Sequence, residues 1–197
     1  MTQSRQLFGT DGIRGVAGEF PLTRDSTFLI GRALGHDLLR VNRQPVVVIG
    51  QDTRESSRWI ADRVFQGLRS VGVTVHSAGV ITTPGVAFLA RSRKWDAGVV
   101  ISASHNPWTD NGIKVFSGDG YKLPDARELA IEKEIFAQLQ AYYPAQVCSP
   151  IRYNVRLSEA PGYGQTIYEY APASIGAEDY AALVERIKHD DGTQGNP

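Results

Sequence analysis

The chain has 197 residues, 42% hydrophobic and 21% charged, enough apolar material for a true core in one large domain or one domain with an appendage. Its 21 lysines and arginines balance 21 aspartates and glutamates, so the net charge of +0 and the lack of a long basic run exclude an extended nucleic-acid footprint. The single cysteine, Cys148, excludes an internal disulfide, no Cys/His group has zinc spacing, Met1 to Gln6 lacks a secretory apolar run and no stretch is long enough to span a membrane, a profile that suits a cytoplasmic protein.

In chain order, Gly9 to Gly18 carries four glycines among Thr10, Asp11 and Arg14. Backbone amides can approach an anion there, and Arg14 offers a planar fork of donors. The same residues equally describe a turn capped by Asp11 with Arg14 in water. Residues 23 to 40 read as a helix with Phe28, Gly31, Leu34 and Leu38 on one face, begun by Thr23 or Asp25. Gly31 and Gly35 permit close packing, and His36 is assigned no catalytic role. Pro45 to Gly50 is a β-branched strand running into Asp52-Thr53-Arg54. Ser56 or Ser57 is the expected cap of the next helix, which Gly72 stops; a phosphate could sit at its start, or Asp52 and Arg54 could simply pair to organise the loop.

Residues 73 to 80 form a further strand, and Thr82-Thr83-Pro84 caps a helix ending near Lys94. Ala97 to Ile101 is a small apolar strand that stops abruptly in Ser102-Ala103-Ser104-His105-Asn106-Pro107. Pro107 fixes its own φ and keeps Asn106 out of the helical region, so the loop is rigid and holds a hydroxyl at a strand end. A fixed serine beside a histidine, with Lys114 ten residues on, suits covalent chemistry on oxygen. Read alone, the Ser-His pair is a polar turn before it is a reaction centre. The three polar junctions do fall at carboxyl ends of strands, where α/β sheets collect ligands. Residues 113 to 116 and 121 to 123 read as a hairpin about Ser117-Gly118-Asp119-Gly120, and Pro124 opens a helix through Gln140 with Leu129, Ile135, Phe136 and Leu139 as buried candidates.

Ser102-Ala103-Ser104-His105-Asn106-Pro107 followed by Asp110-Asn111-Gly112-Ile113-Lys114 resembles the phosphoserine loop of the α-D-phosphohexomutases, nearest their phosphoglucosamine mutase branch. Phe8-Gly9-Thr10-Asp11-Gly12-Ile13-Arg14-Gly15 and Gly50-Gln51-Asp52-Thr53-Arg54 resemble two further signatures of that family, in the same order. The resemblance implies a three-layer α/β/α mixed sheet, the family's first domain, over residues 1–147. It implies an isomerase that moves a phosphoryl group between the 6- and 1-oxygens of glucosamine phosphate through a sugar bisphosphate. Ser104 would carry the phosphoryl group, with Lys114, Arg14 and His105 assisting. Thr10, Asp11, Arg14, Asn106 and Lys114 would bind substrate or phosphate, and the phosphoserine oxygen of Ser104 would be a ligand to Mg²⁺. The implied partners are a hexosamine or hexose phosphate and a hexose bisphosphate activator, with no nucleic acid and no membrane. The family's Asp-x-Asp-x-Asp-Arg metal loop and Gly-Glu-x-Ser-Gly sugar loop are not in this sequence, so the chain alone is expected to be incomplete.

Past residue 148 the pattern changes. Asn154-Val155-Arg156-Leu157-Ser158-Glu159-Ala160-Pro161, and the residues on to Ile187, resemble the C-terminal segment of chromosome-partitioning ATPases of the ParA type, although no Walker-type phosphate loop occurs. Residues 148–188 are expected to form a small, loosely attached strand-turn-strand-helix appendage. Ala177, Tyr180, Leu183, Val184 and Ile187 would form its packing stripe, and 189–197 a disordered tail. Two other functions stay open at this point: a non-catalytic phosphosugar or phosphate binder built from the same loops, and an interaction module led by the ATPase-like segment.

Overall fold

β-Branched runs alternating with helices build one mixed sheet in the larger part of the chain. The computed structural model describes residues 7–145, 147–152 and 154–193. The chain divides into two units at the Tyr142–Tyr143 junction.

In the first unit the strands are β1 (Ile13–Val16), β2 (Val46–Gln51), β3 (Thr74–Val80), β4 (Ala97–Ile101) and β5 (Asp110–Ser117), and the helices are α1 (Arg24–Leu39), α2 (Glu55–Ser70), α3 (Thr83–Arg93) and α4 (Asp125–Tyr142). The sheet order is β1-β5-β4-β2-β3. β2 runs parallel to both β3 and β4, whereas β5 is antiparallel to β4 and to β1. The crossover from β2 to β3 and the return from β3 past β2 to β4 run in opposite directions. Right-handed connections therefore place α2 and α3 on opposite faces, giving the α/β/α layering expected from the sequence. On the α3 face Val48, Val86, Ala90 and Val100 are buried together, with Trp95 and Phe116 packed against them. Their strand neighbours Val47 and Val99 are fully buried too, as strands covered on both faces require.

On the other face α1 and α2 meet backbone to backbone. A Cβ on Gly31 would run into the carbonyl of Val64, and one on Gly67 into the carbonyl of Phe28 and the amide of Arg32. The expected close packing at Gly31 therefore has its other half in Gly67. Thr23 caps α1 through a reciprocal box with Ser26, and His36 is half-buried. α4 buries Ile131, Ile135 and Leu139, while Leu129 and Phe136 are only half-buried. The same helix buries two carboxylates: Glu128 pairs with Lys122 at 2.7 Å, and Glu132 accepts from the amides of Leu7 and Phe8.

Three local expectations are corrected. Residues 13–16 are a strand rather than part of a glycine-rich turn, because pairing with β5 and full burial of Ile13 outweigh the weak local signal. Residues 121–123 make one bridge, Phe116 to Lys122, instead of a strand, since Pro124 diverts the chain into α4. The N-cap of α2 is Arg54, without a side-chain cap; Ser56 and Ser57 lie inside the helix and bond elsewhere.

The second unit is helical: α5 (Val155–Glu159), a 3₁₀ turn at Ala160–Tyr163, α6 (Ile167–Tyr170) and α7 (Ile175–Thr193). Among the described residues it has no strand, which corrects the strand-turn-strand-helix expectation. Local capping decides this. Asn154 accepts from the amide of Arg156, Pro161 sits in the first positions of the 3₁₀ turn, and Thr166 and Glu169 form a capping box. Ala160, Ile167 and Ala177 are its small core, and Arg152 binds Asp179 through two nitrogens. Of the expected stripe on α7, Ala177 is buried and Leu183 half-buried, whereas Tyr180, Val184 and Ile187 are exposed. Of the tail expected to be disordered, 189–193 continue α7 and 194–197 lie outside the described residues. Among the described residues no helix is long and apolar enough to cross a membrane.

Candidate active site

The serine loop joins two antiparallel neighbours. Ile101 pairs with Ile113, and the amide of Ser102 donates to the carbonyl of Gly112, so residues 103–111 emerge from a closed hairpin base. Gly112 makes that base possible: a Cβ there would lie 2.8 Å from the Ser102 carbonyl oxygen and 3.1 Å from that of Ile13. Antiparallel pairing is also what brings together residues ten apart in sequence. Lys114, opposite Val100, extends its Nζ to within 2.8 Å of Ser104 Oγ.

Ser104 is exposed and adopts φ 56°, one of two non-glycine residues with positive φ among those described. A left-handed serine costs about 1–2 kcal/mol, so surrounding bonds must hold it. Its amide donates to Ser102 Oγ at 3.1 Å, and its carbonyl accepts from Arg54 Nη2 at 2.9 Å.

Arg14, on β1 opposite Gly112, donates from Nη1 to Asn106 Oδ1 at 2.8 Å and from Nη2 to Asp11 Oδ2 at 3.0 Å. Asn106 in turn donates to Asp110 Oδ2 at 2.9 Å. Partial burial depresses the basicity of Lys114, the positive charge of Arg14 depresses it further, and the Asp11 carboxylate offsets only part of this. The amine therefore loses its proton more readily than an ordinary lysine.

Behind the loop lies a second layer that the sequence reading only half identified. Burial pushes the Asp52 carboxyl upward, but hydrogen bonds from Ser57, the Arg54 amide, Ser102 and the Arg54 guanidinium outweigh it and keep the group ionised below the usual carboxylate range. Asn111, fully buried in β5, donates to the hydroxyls of Ser56 and Ser57 and accepts from the amide of Gly112. The sequence offered no clear signal for this network, since Asn111 stands among other polar residues, Asp110 and Lys114, in β5.

Of the residues singled out from sequence, Ser104 and Lys114 are in direct contact. Asp11, Arg14 and Asn106 form one connected chain beside them. Thr10 and His105 are exposed, and neither side chain bonds to another described residue. Among the described residues no three of His, Cys, Asp and Glu converge to hold a metal ion. With the serine oxygen facing an amine, these residues do not by themselves make a magnesium site.

Comparison with known proteins adds to this geometry. The family model for phosphoglucomutase/phosphomannomutase α/β/α domain I matches residues 5–142. The phosphoglucosamine mutase of Koribacter versatilis is 61% identical over 69% of this chain and 29% of its own length. That of Solibacter usitatus is 57% identical over 70% and 31%. A phosphoglucomutase/phosphomannomutase family protein from Burkholderia thailandensis, solved by X-ray crystallography, superposes with a TM-score of 0.58 at 29% identity. That alignment covers 70% of this chain and 31% of the other. The chain thus spans about a third of the length of each.

Proposed function

The chain belongs to the phosphoglucomutase/phosphomannomutase family, whose α/β/α domain I occupies its residues 5–142, and from that premise we propose that it carries the phosphoserine step of a phosphoglucosamine mutase. The observation that carries this reading is the contact of Ser104 Oγ with the Lys114 amine at 2.8 Å, on a serine held at positive φ. Residues 1–147 are the mutase portion, and glucosamine 6-phosphate and glucosamine 1-phosphate are the substrates exchanged through a bisphosphate.

In the loading direction the Ser104 hydroxyl oxygen bonds to a phosphorus of the sugar bisphosphate, and the bond from that phosphorus to the sugar oxygen breaks. The serine proton passes to the neutral Lys114 amine, and the sugar oxygen takes a proton from solvent. Arg14 and Lys114 balance the charge on the phosphoryl oxygens, while Asp11 and Asn106 aim the Arg14 fork. Thr10 and His105, exposed at the rim, contact the phosphate or sugar. Positioning and charge balance are the main contributions such a transfer needs.

Incubation with glucose 1,6-bisphosphate, followed by intact-mass analysis and peptide mapping, is expected to place one phosphoryl group on Ser104 and none on Ser104→Ala. Label on Ser102, persisting in Ser104→Ala, would sink the assignment. The high identity to named phosphoglucosamine mutases supports the hexosamine substrate.

In this family Mg²⁺ supplies charge neutralisation at the phosphoryl group. The family resemblance would make the Ser104 oxygen a ligand, but among the described residues no three of His, Cys, Asp and Glu converge to complete a site, so no step is assigned to the metal. Calorimetric titration with MgCl₂ is expected to show binding no tighter than about millimolar, because few anionic oxygens converge. Tight stoichiometric binding would mean a carboxylate site elsewhere in the chain.

A further inference from the structure

The sequence left Arg54 between two roles, a phosphate ligand at the start of α2 or one half of a local ion pair. The atoms it touches decide between them. Nη1 donates to the carbonyls of Pro107 at 2.5 Å and Asp110 at 3.1 Å. Nη2 donates to the carbonyls of Ser104 and Asn106, both at 2.9 Å. Nε donates to Asp52 Oδ2 at 3.1 Å. A guanidinium has five N–H donors, and all five are engaged. The side chain is only 12% exposed. No donor remains for a phosphate.

We propose that Arg54 is the positioning residue of the serine loop: its fork holds four main-chain carbonyls between Ser104 and Asp110 and thereby fixes where Ser104 Oγ stands. This rests on the reading of Ser104 as the phosphoryl carrier. The clamp is anchored from below. Asp52 Oδ1 accepts from the Arg54 amide at 3.0 Å and from Ser57 Oγ, and the amide of Asp52 donates to the Ile101 carbonyl at the end of β4. The amide of Ser104 is held separately, by Ser102 Oγ at 3.1 Å. The carbonyl of the left-handed serine is therefore tied to one Asp52–Arg54 unit that begins where β2 ends. A lysine cannot take this place. Its three donors radiate from one nitrogen and cannot reach four carbonyls and a carboxylate lying around a planar fork.

The test compares the 197-residue protein with Arg54→Lys by amide hydrogen exchange and by phosphorylation with glucose 1,6-bisphosphate. Exchange at Ser104, Asn106 and Asp110 is expected to speed up about tenfold or more in the variant, with Val48 and Val99 in the sheet unchanged. The maximal rate of Ser104 phosphorylation is expected to fall about a hundredfold, the cost of a small misplacement, with the half-saturating bisphosphate concentration unchanged. Unchanged loop exchange overturns the proposal. So does a tenfold rise in half-saturating concentration at an unchanged maximal rate, the signature of a lost phosphate ligand. If Arg54→Lys does not fold, Asp52→Asn replaces it, with a smaller rise in loop exchange expected and unchanged exchange again overturning the clamp. If the unsubstituted protein takes no phosphoryl group, the proposal that this chain by itself carries the phosphoserine step fails, and the exchange measurement still decides the clamp.

Discussion

Replacing Lys114 with arginine is expected to slow phosphorylation of Ser104 by about 10²–10⁴-fold, the usual contribution of a positioned general base. The positive charge survives this change, but the proton acceptor does not. A guanidinium stays protonated at all accessible pH, whereas the Lys114 amine, depressed first by burial and then by Arg14, deprotonates below the ordinary lysine range. The sign of the pH dependence follows. For the unsubstituted protein the rate rises with pH as the amine becomes free, and levels off at a lower pH than an ordinary lysine would give. For Lys114→Arg the rate is low and flat across the same range. Rates from timed quenching and intact mass between pH 6 and pH 10 are the measurement. A Lys114→Arg protein that keeps the wild-type rate would show that only the charge matters at this position.

The second large effect is structural. Gly67→Ala is expected to destabilise the protein by about 2 kcal/mol. Overpacking a rigid contact costs about 1–3 kcal/mol or more, and the better helix propensity of alanine returns at most about 1 kcal/mol. The collision is with main-chain atoms of Phe28 and Arg32, which cannot swing aside as a flexible side chain could. At Gly18, where an added Cβ meets nothing within 4 Å, no such collision arises. Urea unfolding should show a lower midpoint at unchanged slope for Gly67→Ala. A variant as stable as the parent would mean that α1 and α2 can separate without loss.

How much of this was readable in the sequence differs from element to element. β4 was plain because five small apolar residues buried on both faces leave no alternative period, and the caps at Thr23 and Thr82 were plain because capping is local. β1 was not, because two of its four residues are an arginine and a glycine and its pairing energy comes from β5, nearly a hundred residues on. In the second unit the strand expectation came from the likeness to the ATPase segment, yet the Thr166–Glu169 box satisfies the amides of a helix start at Ile167–Tyr170. In the site, Ser104, Lys114 and Arg14 could be singled out by type and motif. The role of Arg54 could not, because its partners are main-chain carbonyls whose directions depend on the loop's dihedral angles rather than on side-chain identity. The same holds for Ser57 and Asn111, which meet only when the start of α2 is laid against β5.

The hairpin origin of the serine loop has a consequence for how the site responds to its medium. Many phosphate sites lie against the first turn of a helix, where fixed amide dipoles face the anion and neither acid nor base alters them. The loop here leaves β4 and enters β5 without an intervening helix, so Lys114 and Arg14 take the place of those dipoles. Charges on partly exposed side chains are screened by dissolved salt over a Debye length of about 8–10 Å, and one of the two can lose its charge altogether. Retention of a dianion at Ser104 should therefore weaken as ionic strength rises, and weaken again in alkali as the lysine neutralises.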